Sequence, residues 1–178
     1  AARAGKVFLG SPGIGSGSHI AAEYFFKSLA RAEVKHIPFA GGAPAMLGVI
    51  AGDVNVLATT ATGGTLRNLQ NGEVTAVGIA AKQRASVLPN APTFAEAGYA
   101  GFEASSWAGF FAPAGTPAAV IEKLNAEINA ILREPETKAR IDALGLEISF
   151  RDRAATKAFF ADEIANWGRM VAVVGITQ

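Results

Sequence analysis

Cysteine is absent from the 178 residues, which removes a disulfide framework, a thiolate metal site and a cysteine nucleophile together. Charge is also scarce: 16 Lys and Arg stand against 15 Asp and Glu, and charged residues make up only 17% of the chain. A net charge of +1 with no basic stripe lacks the electrostatic footprint of a nucleic-acid binder, so no nucleic-acid partner is expected. Two distant histidines and scattered carboxylates do not form a ligand cluster, and neither a metal nor a cofactor is expected. No run approaches the roughly 18 consecutive apolar residues that cross a bilayer. The opening Ala1-Ala2-Arg3-Ala4-Gly5-Lys6 lacks the apolar centre of a signal peptide, so any export signal is expected to be missing or already removed. What the chain has in quantity is apolar residues, at 50%. At this length about 70% of the unfolded surface should be buried, which makes the chain a soluble globular protein.

In the first half, short β-branched runs alternate with amphipathic stretches, the pattern of strands joined by helices. Strands are predicted at Val7–Leu9, Val34–Ile37, Val54–Ala58 and Thr75–Ala80, and helices at Ser18–Arg31, Ala43–Ile50 and Thr60–Gln70, giving a βαβαβαβ unit. Prolines and glycines break up the stretch from Leu88 to Gly101, where Thr93-Phe94-Ala95-Glu96 has capping-box spacing. Glu103 to Phe111 alternates weakly and carries Trp107. Thr116 as N-cap and Pro117 at N1 predict a helix running to Arg133, with Val120, Ile121, Leu124, Ile128 and Ile131 on one face. Pro135 restarts a helix to Leu144-Gly145, Leu146–Phe150 reads as a short strand, and Asp152 can cap a last helix reaching Val174-Gly175. Three amphipathic helices with few strands to cover leave an imbalance, because an apolar helical face needs a partner surface.

The strongest local signal is Ser11-Pro12-Gly13-Ile14-Gly15-Ser16-Gly17-Ser18-His19, between a predicted strand and a predicted helix. Glycines let the backbone approach a ligand closely, and a helix start offers unpaired N–H groups at its positive end, so Gly15, Ser16, Gly17, Ser18 and His19 are candidate anion-binding residues. The same residues also describe an ordinary capped helix start, and spacing does not choose between the two. The loop is not a Walker motif, misses the third glycine of G-x-G-x-x-G, and contains no G-x-S-x-G elbow. His19 has no evident partners for a catalytic set, and His36 at a strand end reads as a structural histidine. Glu96 and Glu103 read as a capping residue and a surface residue, not an acid and base pair. Thr59 and Thr60 follow a predicted strand as the serine loop does, and parallel sheets place ligands at the carboxyl ends of their strands. These threonines face the same alternative of plain capping.

Four blocks in order resemble the solute-binding proteins of tripartite tricarboxylate transporters, the Bug family. They are Ser11 to His19, Ile37-Pro38-Phe39-Ala40-Gly41-Gly42-Ala43-Pro44-Ala45, Leu88 to Gly98, and Ser106-Trp107-Ala108-Gly109-Phe110-Phe111-Ala112-Pro113-Ala114-Gly115-Thr116-Pro117. The resemblance implies a periplasmic-binding-protein-like, three-layer α/β fold in which residues 1–104 form the second, ligand-binding lobe. Residues 105–178 would supply a crossing strand and C-terminal helices of the other lobe. It also implies a periplasmic receptor that captures a small carboxylate and hands it to a membrane permease, with Gly15, Ser16, Gly17, Ser18 and His19 forming one side of the cleft and Thr59 and Thr60 contributing from the neighbouring strand end. Trp107 would sit near the crossing between lobes. The family's first stretch has no counterpart before Ala1, so the chain is expected to be truncated, with domain exchange or a homodimer as one way to cover its helices. Family members often carry an acidic residue where Thr59 stands, Tyr at Phe39 and Lys at Ala40. Two rival readings are an enzyme that holds a phosphate or acyl substrate in the serine loop with His19 as base, and a non-binding assembly module.

Overall fold

The computed structural model describes residues 7–175, so the stretch Ala1 to Lys6 weighed above as a leader lies outside the described residues. The chain divides into two compact units, one of Ala1–Ser106 with Arg169–Gln178 and the other of Trp107–Gly168.

The first unit is built on three parallel strands, β1 (Phe8–Ser11), β2 (Lys35–Pro38) and β3 (Val56–Leu57), in the order β2-β1-β3. Leu9 lies opposite His36 and Val56, and Gly10 opposite Ile37 and Leu57. Strand alternation sends Leu9 and Ser11 to one face and Gly10 to the other. On the Gly10 face a Cβ at Gly10 would meet Val54 at 3.0 Å and the Phe39 ring at 3.3 Å, and the same ring lies against Gly48 of α2 (Gly42–Ala51). On the opposite face α1 (Gly17–Tyr24) lays His19 on His36, with ring centroids 3.8 Å apart. Helices therefore cover both faces of the sheet, giving the three layers expected of the fold. Leu9, Val54 and Ser11 are fully buried at its centre, and Met46, Leu66, Phe102, Met170 and Val174 complete the core.

Several boundaries differ from the expectation. The helix predicted over Ser18–Arg31 is α-helical only to Tyr24, widens into a π-helix over Phe25–Ala30, and stops at Arg31, whose φ is 48°. The π segment carries Phe25 into a cluster with Phe94, Tyr99 and Phe102 at centroid distances of 4.6, 4.8 and 5.3 Å. Thr75–Ala80 is not a strand: it makes one isolated parallel bridge, Ile79 with Thr93. Its neighbour there begins with Pro92, which has no N–H to donate, and then turns at once through Thr93–Glu96, so no ladder can extend. That turn closes by the reciprocal bonds of a capping box, from the Thr93 amide to the Glu96 carboxylate (2.7 Å) and from the Glu96 amide to Thr93 Oγ1 (3.1 Å). Arg84 clamps the same carboxylate at 3.0 Å. The helix predicted from Thr60 begins four residues later, as α3 (Gly64–Gln70), because Gly63 at φ 47° breaks the run before it.

In the second unit α4 (Ala118–Leu132), α5 (Pro135–Ala143) and the first part of α6 (Arg153–Val174) are joined by irregular chain. Pro117, not Thr116, occupies the N-cap of α4, and the Thr116 hydroxyl instead donates to the Pro113 carbonyl at 2.8 Å. Neither the crossing strand expected from residue 105 onward nor Leu146–Phe150 is extended into a ladder, since neither finds a strand to pair with among the described residues. Asp152 does cap α6, accepting from the Ala155 amide at 2.7 Å. Trp107 stands edge-on to Phe160 at 4.7 Å, and the indoles of Trp107 and Trp167 both donate to Glu163. No described residue of this unit is buried, with Phe110 83% and Ile164 70% exposed.

Candidate functional site

In the order β2-β1-β3 the chain leaves β1 toward one side to reach β2 and returns across β1 to reach β3, with α1 and α2, the two connections, on opposite faces of the sheet. Parallel sheets bind ligands at this kind of switch point, outside the carboxyl ends of the strands. The loop after β1 runs from Pro12 to Ser16, and that after β3 from Ala58 to Gly63. The Ala58 amide still bonds to the Gly10 carbonyl at 3.0 Å, so Thr59 leaves the sheet directly beside the end of β1. The loop after β2 ties in as well, through Phe39 N–H to Ser11 O (3.0 Å) and Gly41 N–H to Pro12 O (3.0 Å).

The start of α1 has a definite division of labour. Ser16 is the N-cap, its hydroxyl accepting from the His19 amide at 3.2 Å and donating to the Gly13 carbonyl at 2.8 Å. Its own amide bonds to Gly13 O (3.3 Å), and the Gly15 amide donates to His19 Nδ1 (3.2 Å). Three of the five candidate amides in the loop are thus satisfied inside the protein. The remaining two, Gly17 and Ser18, have no protein acceptor among the described residues, and Gly17 is exposed. They are the first two N–H groups of an eight-residue helix whose first turn holds no acidic side chain, so its positive end is uncompensated. The hydroxyls of Ser18, Thr59 and Thr60 likewise make no hydrogen bond within the described residues; Thr60 is exposed, and Ser18 and Thr59 are half-buried.

Two residues outside the expected set complete the arrangement. Ser11 has no exposed surface, and its Oγ lies 2.7 Å from His36 Nε2 while also bonding to the Gly13 amide and carbonyl. His36 in turn stacks on His19, which is 6% exposed. Burial pushes the pKa of both histidines below the ordinary value; for His19 the nearby Glu23 opposes this and Lys27 adds to it, while for His36 the neighbouring His19 adds to it and Glu23 opposes. Glu23 is paired with Lys27 at 2.9 Å. A signal for Ser11 was present in the sequence, since a polar residue at the strand position two after Leu9 shares the face of a core residue. The partnership with His36 depends on strand register, which composition does not show. Among the described residues no group of three metal-ligating side chains exists, and no helix is long and apolar enough to cross a membrane.

This arrangement can receive an anion on neutral donors, but it is poorly suited to general-base chemistry. His19 Nδ1 is already accepting a hydrogen bond, and the Ser11 hydroxyl, the only one held by a histidine among the described residues, is sealed from solvent.

Comparison with known proteins places these features in context. Residues 1–176 match the family described as tripartite tricarboxylate transporter family receptor. A protein encoded in the tcbD-tcbE intergenic region of a Pseudomonas species is 33% identical over 168 residues, covering 94% of this chain and 49% of the relative. BugT of Bordetella pertussis is 32% identical, covering 98% and 53%. Among solved structures, an R. palustris protein with adipate aligns with a TM-score of 0.79 at 26% identity, over 98% of this chain and 58% of that one. MatC from Rhodopseudomonas palustris with bound malate aligns at 0.72 and 30% identity, over 93% and 56%. The chain thus spans about half the length of the curated relatives it matches.

Proposed function

Because the chain belongs to the tripartite tricarboxylate transporter receptor family, we propose that its α/β unit is the ligand-binding lobe of a periplasmic receptor that captures a small carboxylate for delivery to the family's transporter. The observation that carries this reading is the pair of unpartnered amides, Gly17 and Ser18, at the exposed start of α1 and beside the switch point of the sheet. A carboxylate there would accept both N–H groups, each charge-assisted bond contributing about 1.5–3 kcal/mol. The hydroxyls of Ser18, Thr59 and Thr60 would take its remaining lone pairs. Neutral donors suit a protein that must release what it binds, since binding then depends on cleft geometry and not on a buried countercharge. Relatives solved with adipate and with malate support small dicarboxylates as the first ligands to try.

The test is calorimetric titration of the chain with succinate, malate and adipate, and with the matching amides as neutral controls. Binding of an acid but not of its amide is the expected result. Turnover of any of these compounds, or equal binding of acid and amide, would overturn the receptor reading.

The second unit supports a further expectation, that its helices associate with another polypeptide surface, a second copy of the chain included. Its lack of any buried residue among those described favours this, because amphipathic helices gain their stability from packing. Light scattering should then show ligand-independent assembly; a strictly monomeric chain would refute it.

A further inference from the structure

We propose that Ser11, His36 and His19 act as one buried positioning unit that holds the Pro12–Ser16 loop in the shape that leaves the Gly17 and Ser18 amides free, and that taking up a proton opens this loop. Only the consequence for ligand capture rests on the receptor reading given above; the loop mechanism stands on its own geometry.

The loop is fastened at two glycines. Gly13 is held by Ser11, its amide donating to Oγ at 3.3 Å and its carbonyl accepting from Oγ at 3.2 Å. Gly15 is held by the 3.2 Å bond from its amide to His19 Nδ1. The two fastenings are joined, because Ser11 Oγ lies 2.7 Å from His36 Nε2 and the His36 ring lies on the His19 ring at 3.8 Å and 23°. Water cannot substitute at Ser11, which has no exposed surface.

Proton placement follows from the donors. His19 Nδ1 accepts from Gly15, so a neutral His19 carries its proton on Nε2. A second proton must go to Nδ1, where it would face the Gly15 N–H and turn that bond into a repulsion. His36 cannot relieve the pair by charging in its place, since a cation there lies against the His19 ring and is itself buried. The charged groups near the pair are Glu23, on α1 one turn after His19, and Lys27, which neutralises it at 2.9 Å. β1 contributes only the Ser11 hydroxyl. On β2 Lys35 sits at a position of opposite parity to His36, with its Nζ 6.0 Å from the Phe8 ring centroid.

The test is NMR on the unmodified chain, following both imidazoles and the amides of Gly13, Gly15 and Ala58 from about pH 8 to about pH 5. Ala58, bonded to the Gly10 carbonyl within the sheet, is the internal reference. Both rings should titrate below the ordinary histidine value. The Gly13 and Gly15 resonances should move with the same midpoint and lose about tenfold or more of their exchange protection while Ala58 keeps its own. In His19→Gln, whose amide cannot take up the proton, both Gly13 and Gly15 should become insensitive to pH. Rings that titrate without moving either glycine, a Gly13 or Gly15 that still titrates in His19→Gln, or Ala58 losing protection at the same midpoint would each overturn the proposal. Succinate, malate and adipate, each added at each pH, separate the two readings. A responsive loop that binds none of the three refutes the receptor and keeps the positioning unit, whereas binding of any of them over a silent loop does the reverse.

Discussion

Replacing Gly17 by proline would remove one proposed ligand contact while leaving the helix intact. Gly17 is the first helical residue after the cap, where proline is well tolerated because the lost N–H has no intrahelical acceptor. The residue before a proline must be extended, and Ser16 already is, with φ −63° and ψ 152°. No hydrogen bond within the described residues is broken, since the Gly17 amide has no protein acceptor. Folding stability should therefore hold or rise by about 0.5 kcal/mol, through a less flexible unfolded chain. Binding is a different matter. One of two charge-assisted amide bonds to the carboxylate disappears, a loss of about 1.5–3 kcal/mol, which corresponds to roughly tenfold to over a hundredfold in affinity. Urea unfolding and calorimetry with the tightest-binding acid of the panel measure the two quantities on one preparation. Ser18→Ala serves as the comparison, since it removes a hydroxyl and keeps the amide. Unchanged affinity in Gly17→Pro, with stability intact, would refute the assignment of the carboxylate to the start of α1.

Other outcomes follow from the same structure. Ser16→Ala should cost about 1 kcal/mol of stability by removing the cap on α1, and Ser16→Gly only a few tenths, as read by urea denaturation. Gly48→Ala should destabilise by about 1 kcal/mol net, because the Phe39 ring held between Gly10 and Gly48 must move, at a cost of about 1–3 kcal/mol that outweighs a gain of about 1 kcal/mol in helix propensity. Stabilisation by Gly48→Ala would show that the ring yields freely. Stability should be level above the ordinary histidine pKa of about 6.5 and fall as pH drops below it, since the unfolded chain then binds protons that folded His19 and His36 resist. Unfolding curves across this range should flatten in His36→Gln, and a wild-type curve without slope there would contradict the burial of the pair. At lower pH, Glu96→Gln should abolish the loosening of the Thr93–Glu96 turn, because the Thr93 amide and Arg84 hold that carboxyl below its usual range and the ionised form is what the turn requires. Exchange of the Thr93 amide reports it.

Much of the α/β unit was legible in the residues alone. Local rules suffice for β1, β2 and α2, where β-branched runs, a proline stop and a glycine pair mark the ends, and for the cap at Asp152 and the box at Thr93–Glu96. These features depend on contacts three or four residues apart, so the sequence carries them directly. Thr75–Ala80 and Leu146–Phe150 were misread for the complementary reason: a strand exists only if another segment comes alongside to complete its ladder, and strand propensity says nothing about that partner. The same limit applied at the site. The glycine and serine pattern pointed to residues 15–19, but which amides remain free was decided by where the Gly13 carbonyl, the His19 ring and the Ser16 hydroxyl come to rest. The joining of Ser11, His36 and His19 required strand register on one side and a helix laid over the sheet on the other. Sequence determined the local turns, caps and apolar stripes; only the tertiary fold decided which polar groups those elements satisfy and which they leave open to a ligand, because that depends on neighbours far away along the chain.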